Sequence, residues 1–120
     1  MLFEIDITFT GKMLSTNQLL SAGTWKARKG LVDRYKREFK LLILANYKPQ
    51  KRPFKQYKVK VEFRNKLDTV NNASMLKIFE DALQDLRFIE NDTSKNNIFT
   101  ILQSNLDLKP NSIRFVFEFI

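Results

Sequence analysis

The sequence predicts a single domain of the α/β (α+β) class, in which two main helices cover a mixed β-sheet in the order β-α-β-α-β-β. Three observations predict this class. The chain has 120 residues, which is the length of one domain covering residues 1–120. Stretches of alternating apolar residues near its start, middle and end are typical of strands. Two longer stretches between them repeat their apolar residues at the spacing of a helix.

The first strand and the first helix are separated by a long loop. Alternation from Leu2 to Thr10 predicts a strand whose buried face holds Phe3, Ile5, Ile7 and Phe9. A loop over Gly11–Gly23 follows, and Thr24 is suited to be the N-cap of the helix. The apolar residues of this helix are Leu31, Tyr35, Phe39, Leu42, Ile43 and Tyr47. We expect the helix to run from Thr24 onward; because Gly30 weakens its first turns, a regular helix that begins nearer Leu31 is the alternative.

A basic linker, Lys48–Pro53, leads to the second strand and the second helix. The strand alternates between a buried set and a mostly basic outer set: Tyr57, Val59, Val61 and Phe63 against Lys58, Lys60, Glu62 and Arg64. The helix has one apolar stripe, made of Met75, Leu76, Phe79, Ala82, Leu83 and Leu86. Its polar residues are expected to lie largely away from that stripe: Lys77, Glu80, Asp81, Gln84 and Asp85.

The last third of the chain predicts two more strands. Ile98–Leu102 is the third strand, and the fourth alternates over Ile113–Phe119 after a turn at Pro110 and Asn111. We expect the Phe residues of the strands to be core residues.

Composition excludes several kinds of catalytic site. The chain has no Cys and no His, which removes disulfides, thiolate zinc sites, cysteine nucleophiles and histidine bases together. Hydrolytic chemistry would therefore need carboxylates, Lys, Tyr or a hard metal ion held by oxygen. No run of about 18 apolar residues predicts a membrane span, and "MLFEIDITF" does not resemble a signal peptide, so we expect a cytoplasmic protein without a membrane partner.

The charge is unevenly distributed along the chain. The net charge is +8, with +11 in residues 1–66 and −3 in residues 67–120. A basic half beside an acidic half favours a protein that binds a polyanion and has a localised acidic site, with nucleic acid as the polyanion. The alternative is a solvated surface without a ligand. An anionic membrane surface is less favoured, because no basic amphipathic helix stands apart from the predicted core.

Polar and acidic residues stand on both sides of the second helix: Asp68, Asn71 and Asn72 before it, and Glu90, Asn91 and Asp92 after it. A straight helix of this length would hold the two groups about 20 Å apart, so a common site requires the loops to fold back. Each residue also has a simpler interpretation. Asp68 or Asn72 can be a helix cap, and Lys77 with Asp81 can be a surface ion pair at i,i+4.

Three segments around this helix, "DTVN", "LKIFEDAL" and "FIENDT", occur in the order and spacing of a known family's motifs. Upstream, the first strand, the Ser15–Asn17 loop and "TWKARKGLVDRYKREF" also fit. The region from Asp68 to Thr93, and with it most of the chain, resembles the RusA family of phage-type Holliday-junction resolvases. That family's pattern is an Asp-x-Asp-Asn turn, a helix with a Lys and an Asp-Ala-Leu, and a hydrophobic turn ending in Asp-Asp.

The resemblance implies a homodimeric endonuclease that uses Mg²⁺ or Mn²⁺ to nick two strands of a four-way DNA junction. By position, Asp68 and Asp92 would be the metal ligands, with Asn71 or Glu90 as further oxygen donors. Lys77 would stand near the scissile phosphate, and Asn72, Asp81 and Asn91 would support these residues. The resemblance also implies a phage or prophage origin in a bacterial host cell.

The sequence departs from the family's pattern at two positions. Val70 stands where the second Asp of the turn is expected, and Asn91 where the first Asp of the final pair is expected. Charge on the ligands tunes the affinity for a hard cation, so the same fold could bind DNA without cutting it. A third hypothesis is a small phage protein that binds another protein.

The residues expected to contact DNA lie mostly in the basic half: Asn17, Lys26, Arg28, Lys29, Lys58, Lys60, Arg64 and Lys66. Each could equally be a solvated surface residue. Trp25 could stack on a base at an opened junction, but packing under the first helix is favoured.

Overall fold

The computed structural model describes residues 2–8, 25–66 and 69–120. The elements follow the order β-α-β-α-β-β, as the sequence predicts. Their bounds are β1 Leu2–Thr8, α1 Trp25–Asn46, β2 Tyr57–Arg64, α2 Thr69–Asp85, β3 Asn97–Ser104 and β4 Ser112–Phe119. The expectations for Phe9, Thr10, the loop at 11–23 (with Ser15–Asn17), Thr24 and Asp68 lie outside the described residues.

The four strands form one mixed sheet in the order β1-β4-β2-β3. β4 pairs antiparallel with both β1 and β2, whereas β2 and β3 run parallel. A parallel pair needs a crossover connection, and α2 supplies it between β2 and β3. The predicted mixed sheet is therefore confirmed, with β1 and β3 at its two edges.

Both helices cover the same face of the sheet. The apolar residues of the strands alternate inward and meet the stripes of α1 and α2 in one core. Phe79 of α2 is fully buried and its ring lies 4.2 Å from that of Phe115, 5.4 Å from Phe39 and 5.6 Å from Phe117. This aromatic cluster fixes α2 on the sheet, and α2 carries several of the candidate site residues.

The opposite side of the sheet, here called the open face, is not covered by a helix of the described chain. Lys58, Lys60 and Arg64 of β2 are exposed there. Glu62 departs from the prediction that it lies on an exposed face, since it is only 7% exposed. It is covered because the side-chain amide of Asn105 donates a hydrogen bond to its carboxylate. Within the described residues, no helix is long and apolar enough to span a bilayer.

The first helix is helical from Trp25, in agreement with the helix expected from Thr24 onward. Gly30 therefore lies inside α1, and the alternative start near Leu31 is wrong. A helix of 22 residues tolerates one glycine because the packing of Phe39 and Ile43 stabilises it from the core side.

We expect Gly30→Ala to stabilise the protein. A Cβ at Gly30 meets nothing within 4 Å, so alanine adds no clash. Alanine also removes conformational freedom from the unfolded chain and raises helix propensity, for a gain of about 0.5–1 kcal/mol in the free energy of unfolding. Urea denaturation of both proteins measures this gain. An unchanged or lower free energy would mean that the first turns of α1 are not helical in solution.

Candidate active site

The segment after α2 turns back and runs beside the helix. Arg87 takes the left-handed conformation, with φ 64°, and the N–H of Phe88 bonds to the carbonyl of Leu83 at 2.9 Å. This Schellman motif ends the helix. The backbone of Phe54 then holds the returning segment from both sides, through the Phe88 carbonyl at 2.9 Å and the Glu90 N–H at 3.0 Å.

Asp92 is thereby placed against Lys77. The Lys77 ammonium donates a hydrogen bond to the Asp92 carboxylate and also lies 3.2 Å from a carboxylate oxygen of Asp81. Lys77 stands eight residues after the start of α2 at Thr69, about 12 Å along the helix. The predicted i,i+4 pair of Lys77 and Asp81 is confirmed. The loop after the helix folds back as far as Lys77, while Asp68 lies outside the described residues.

The side chains of Lys77 and Asp92 differ in their exposure to solvent. The Lys77 side chain is 61% exposed, and that of Asp92 is 14% exposed. Partial burial lowers the pKa of Lys77, but the hydrogen bonds to Asp92 and Asp81 outweigh it and raise that pKa above the ordinary value. A charged ammonium that solvent can reach is suited to bind a phosphate oxygen.

Glu80 contradicts the prediction that it points away from the apolar stripe, because it is only 6% exposed. Its carboxylate accepts hydrogen bonds from the Tyr57 hydroxyl and from the Asn97 side-chain amide, the latter at 3.1 Å. These two donors, on β2 and β3, make the burial of a carboxylate possible. A signal was present in the sequence, since Glu80 lies four residues after Leu76 and three before Leu83, both in the stripe.

Burial is the largest influence on the titration of this pair. Burial raises the pKa of Glu80, and the charge of nearby Asp92 raises it further, against the opposing effect of the two hydrogen bonds. Burial and the Glu80 carboxylate together raise the pKa of Tyr57 above its ordinary value. The carboxyl of Glu80 thus has a raised pKa and lies within electrostatic reach of Lys77 and Asp92.

We expect wild-type stability, relative to Glu80→Gln, to fall as the pH rises. The unfolded chain loses the Glu80 proton near pH 4.5, its ordinary pKa, whereas the folded chain holds the proton to higher pH. Above pH 4.5 the unfolded state therefore binds fewer protons and is favoured. Urea denaturation of both proteins between about pH 4 and 8 measures the difference in the free energy of unfolding. A difference that stays constant or grows in favour of the wild type would contradict the raised pKa.

Asn72 is not the N-cap of α2. The helix begins three residues earlier, at Thr69, and Asn72 is fully buried. Its amide exchanges two hydrogen bonds with that of Asn65 at the end of β2, at 2.8 and 3.3 Å. This pair satisfies a buried amide and fixes the end of β2 against the first turns of α2, on either side of residues 67–68.

The other predicted site residues differ in how they relate to the contact of Lys77 with Asp92. Val70 and Asn71 belong to the first turn of α2, where the structure describes the backbone and not their side chains. The Asn91 side-chain oxygen accepts a hydrogen bond from the Asp92 N–H at 2.8 Å, so it supports the loop that presents Asp92. Glu90 is exposed, and in the described chain no hydrogen bond or ion pair of its carboxylate joins it to Lys77 or Asp92.

The residues expected to contact DNA are divided between two surfaces. One group is exposed on the first turns of α1, and the other is exposed on the open face of the sheet: Lys26, Arg28 and Lys29, then Lys58, Lys60 and Arg64. Lys66 is exposed before α2, and Asn17 lies outside the described residues. Because the helices cover the other face of the sheet, a single flat surface does not hold both groups.

Some of these cations already have partners. Lys29 bonds to Asp33 at 2.9 Å, and Lys60 lies 3.4 Å from Glu62. The Arg64 guanidinium donates to the Leu108 carbonyl at 2.9 Å and thereby holds the β3–β4 turn. The Lys29–Asp33 pair is exposed on both sides and contributes little to stability, so it leaves Lys29 free to exchange partners.

Comparison with models of protein families and with curated proteins gives no match for this chain.

Proposed function

We propose that this protein is a metal-dependent, structure-selective endonuclease that resolves four-way DNA junctions by paired nicks. The observation that carries the proposal is the contact of Lys77 with Asp92. The two residues are 15 positions apart and belong to two separate motifs. The resemblance to RusA-type resolvases requires them in one site. A polyanionic substrate agrees with the net charge of +8.

The donor set agrees in kind with a hard cation, because every candidate ligand is a carboxylate or amide oxygen. Among the described residues no group of three or more acids could hold a metal ion. As the resemblance implies, Asp92 would hold Mg²⁺ or Mn²⁺ together with Asp68. Polarisation of the phosphate and activation of water are what such an ion supplies when bound.

The described side chains would divide the remaining work. The exposed Lys77 ammonium binds a non-bridging oxygen of the scissile phosphate and offsets the negative charge that develops there. Asp81 lies 3.2 Å from that ammonium and positions it along the helix. Asn91 fixes the backbone of Asp92. No histidine is needed for any of these roles.

A protein that binds junctions without cutting them is the second candidate function. Val70 removes one expected carboxylate, and the Lys77 ammonium already neutralises part of the charge on Asp92. Both features lower the affinity expected for a divalent cation. This candidate shares the basic surfaces and the fold of the first.

Cleavage of a synthetic four-way junction by wild type, Asp68→Asn and Val70→Asp distinguishes the candidates. The nuclease proposal predicts nicking by the wild type in Mg²⁺ or Mn²⁺ and its loss in Asp68→Asn. Salt-sensitive junction binding without nicking, together with activity gained in Val70→Asp, would instead support the binding function. No salt-sensitive binding at all would refute both and favour a protein partner.

The proposal includes two symmetric active sites, since a junction has approximate two-fold symmetry and an isologous dimer supplies matched sites. It also places the protein in the cytoplasm of a bacterial host, encoded by a phage or prophage. Sedimentation of the protein alone and with junction DNA would test the dimer.

A further inference from the structure

The two edge strands of the sheet differ in how they are protected from pairing with another strand. At the β1 edge, the Tyr47 hydroxyl bonds to both the N–H and the carbonyl of Glu4, at 3.0 and 3.2 Å, and Glu4 and Asp6 place exposed charges on that strand. Covering and charge are two ways in which proteins prevent an edge from pairing with another strand. The β1 edge is therefore protected.

The β3 edge has neither form of protection in the described chain. Among the residues that the structure describes, Asn97–Ser104 pairs only with β2, and its exposed side chains include Ile98, Phe99 and Ile101, at 43, 53 and 38%. The residues from Asn96 to Leu106 contain no charged side chain and no proline, in a protein with 34 charged residues. An uncharged, apolar, unpaired edge is a surface for strand pairing.

We propose that β3 pairs antiparallel with β3 of a second copy of this chain, joining two sheets across a two-fold axis. Charge supports this occupant. The uncharged strand avoids repulsion between two proteins of net charge +8, and it is flanked by Lys95 at one end and Asp107 at the other. Antiparallel pairing of identical strands brings each Lys95 towards the partner's Asp107, so the flanking charges attract.

The side chains also select the register. A two-fold axis perpendicular to the sheet keeps the open faces of the two copies on the same side, so the axis must lie midway between the two copies of one residue. Phe99 and Ile101 are on the open face, since they pair with Lys58 and Lys60. An axis at Thr100 sets each Phe99 opposite the partner's Ile101, and aromatic residues opposite β-branched ones form favourable cross-strand pairs.

The proposed function requires a second copy of the chain, and this interface specifies how that copy binds. The inference itself rests on the features of β3 and not on any nuclease activity. One local contact must adapt, because the Phe99 N–H bonds to the Asn97 side chain at 3.2 Å. That long bond is readily exchanged for a bond to a partner strand.

Single cysteines in this cysteine-free chain test the inference. In the proposed register the two Thr100 Cα atoms lie about 4.5–5.5 Å apart, within the range of a disulfide. The two Gln103 Cα atoms lie about 20 Å apart. With diamide as oxidant, we expect a covalent dimer of Thr100→Cys on a non-reducing gel and none of the matched control, Gln103→Cys.

Ile101→Lys is the second test, with Leu41→Lys, an exposed apolar residue of α1, as its control. Analytical ultracentrifugation should show a dimer for the wild type and the control, and a dissociation constant raised about tenfold or more for Ile101→Lys. A monomeric wild type, equal cross-linking of both cysteine variants, or an unaffected Ile101→Lys dimer would overturn the inference. A monomeric wild type would instead mean that the β3 edge is available to a strand of another protein. These readouts use neither DNA nor metal, so a failure to nick DNA leaves them unchanged.

Discussion

Asp92→Asn is expected to lower the rate of junction nicking by about 100-fold or more, because it removes a ligand charge from the proposed metal site. Asparagine keeps the size of the side chain, and Lys77 retains its contact with Asp81, so the fold should be preserved. Nicking of a labelled four-way junction under single-turnover conditions in Mg²⁺ measures the rate, and circular dichroism checks the fold.

Glu38→Gln is the matched control for this substitution. Glu38 is an exposed acid on α1, outside both the contact of Lys77 with Asp92 and the β3 edge. Its replacement changes the net charge by the same amount and should leave nicking at the wild-type rate. Equal losses in both variants would assign the effect of Asp92 to overall charge and contradict its role as a ligand.

The largest loss of stability is expected for Phe79→Ala. Phe79 is fully buried at the junction of α2 with the sheet, with the rings of Phe39, Phe115 and Phe117 around it. Removing this ring leaves a cavity among rigid neighbours, at a cost of about 3–5 kcal/mol in the free energy of unfolding. Urea denaturation measures this cost.

Leu44→Ala provides the comparison, because Leu44 is 46% exposed on α1. Its loss should change the free energy of unfolding by no more than about 0.5 kcal/mol. If Phe79→Ala were no more destabilising than Leu44→Ala, the aromatic cluster would not be what holds α2 on the sheet.

The sequence predicts the fold well where one periodic pattern decides an element. The alternation of β2 and the stripe of α2 correspond closely to Tyr57–Arg64 and Thr69–Asp85. The expected helix from Thr24 agrees with α1, whereas the alternative start near Leu31 gives too much weight to Gly30, because helix propensity is a local property. Packing of the later turns against the core determines whether that helix forms.

The candidate site could be predicted only in part. The motifs select Lys77, Asp81 and Asp92 as candidates, but the contact between Lys77 and Asp92 depends on the turn at Arg87 and on the backbone bonds of Phe54. Periodicity gives no information about such non-local pairing. The helical pattern places Glu80 on the exposed side for the same reason, since the donors that allow its burial come from β2 and β3.

The most direct test of the proposed site is the coupling between Lys77 and Asp92 in catalysis. Single-turnover nicking of a four-way junction in Mg²⁺ is measured for the wild type, Lys77→Met, Asp92→Asn and the double variant. Residues that act as one unit give strongly non-additive losses, so the double variant should be about as slow as the slower single variant. A wild type that does not nick, single variants as fast as the wild type, or losses that multiply in the double variant would contradict a common site.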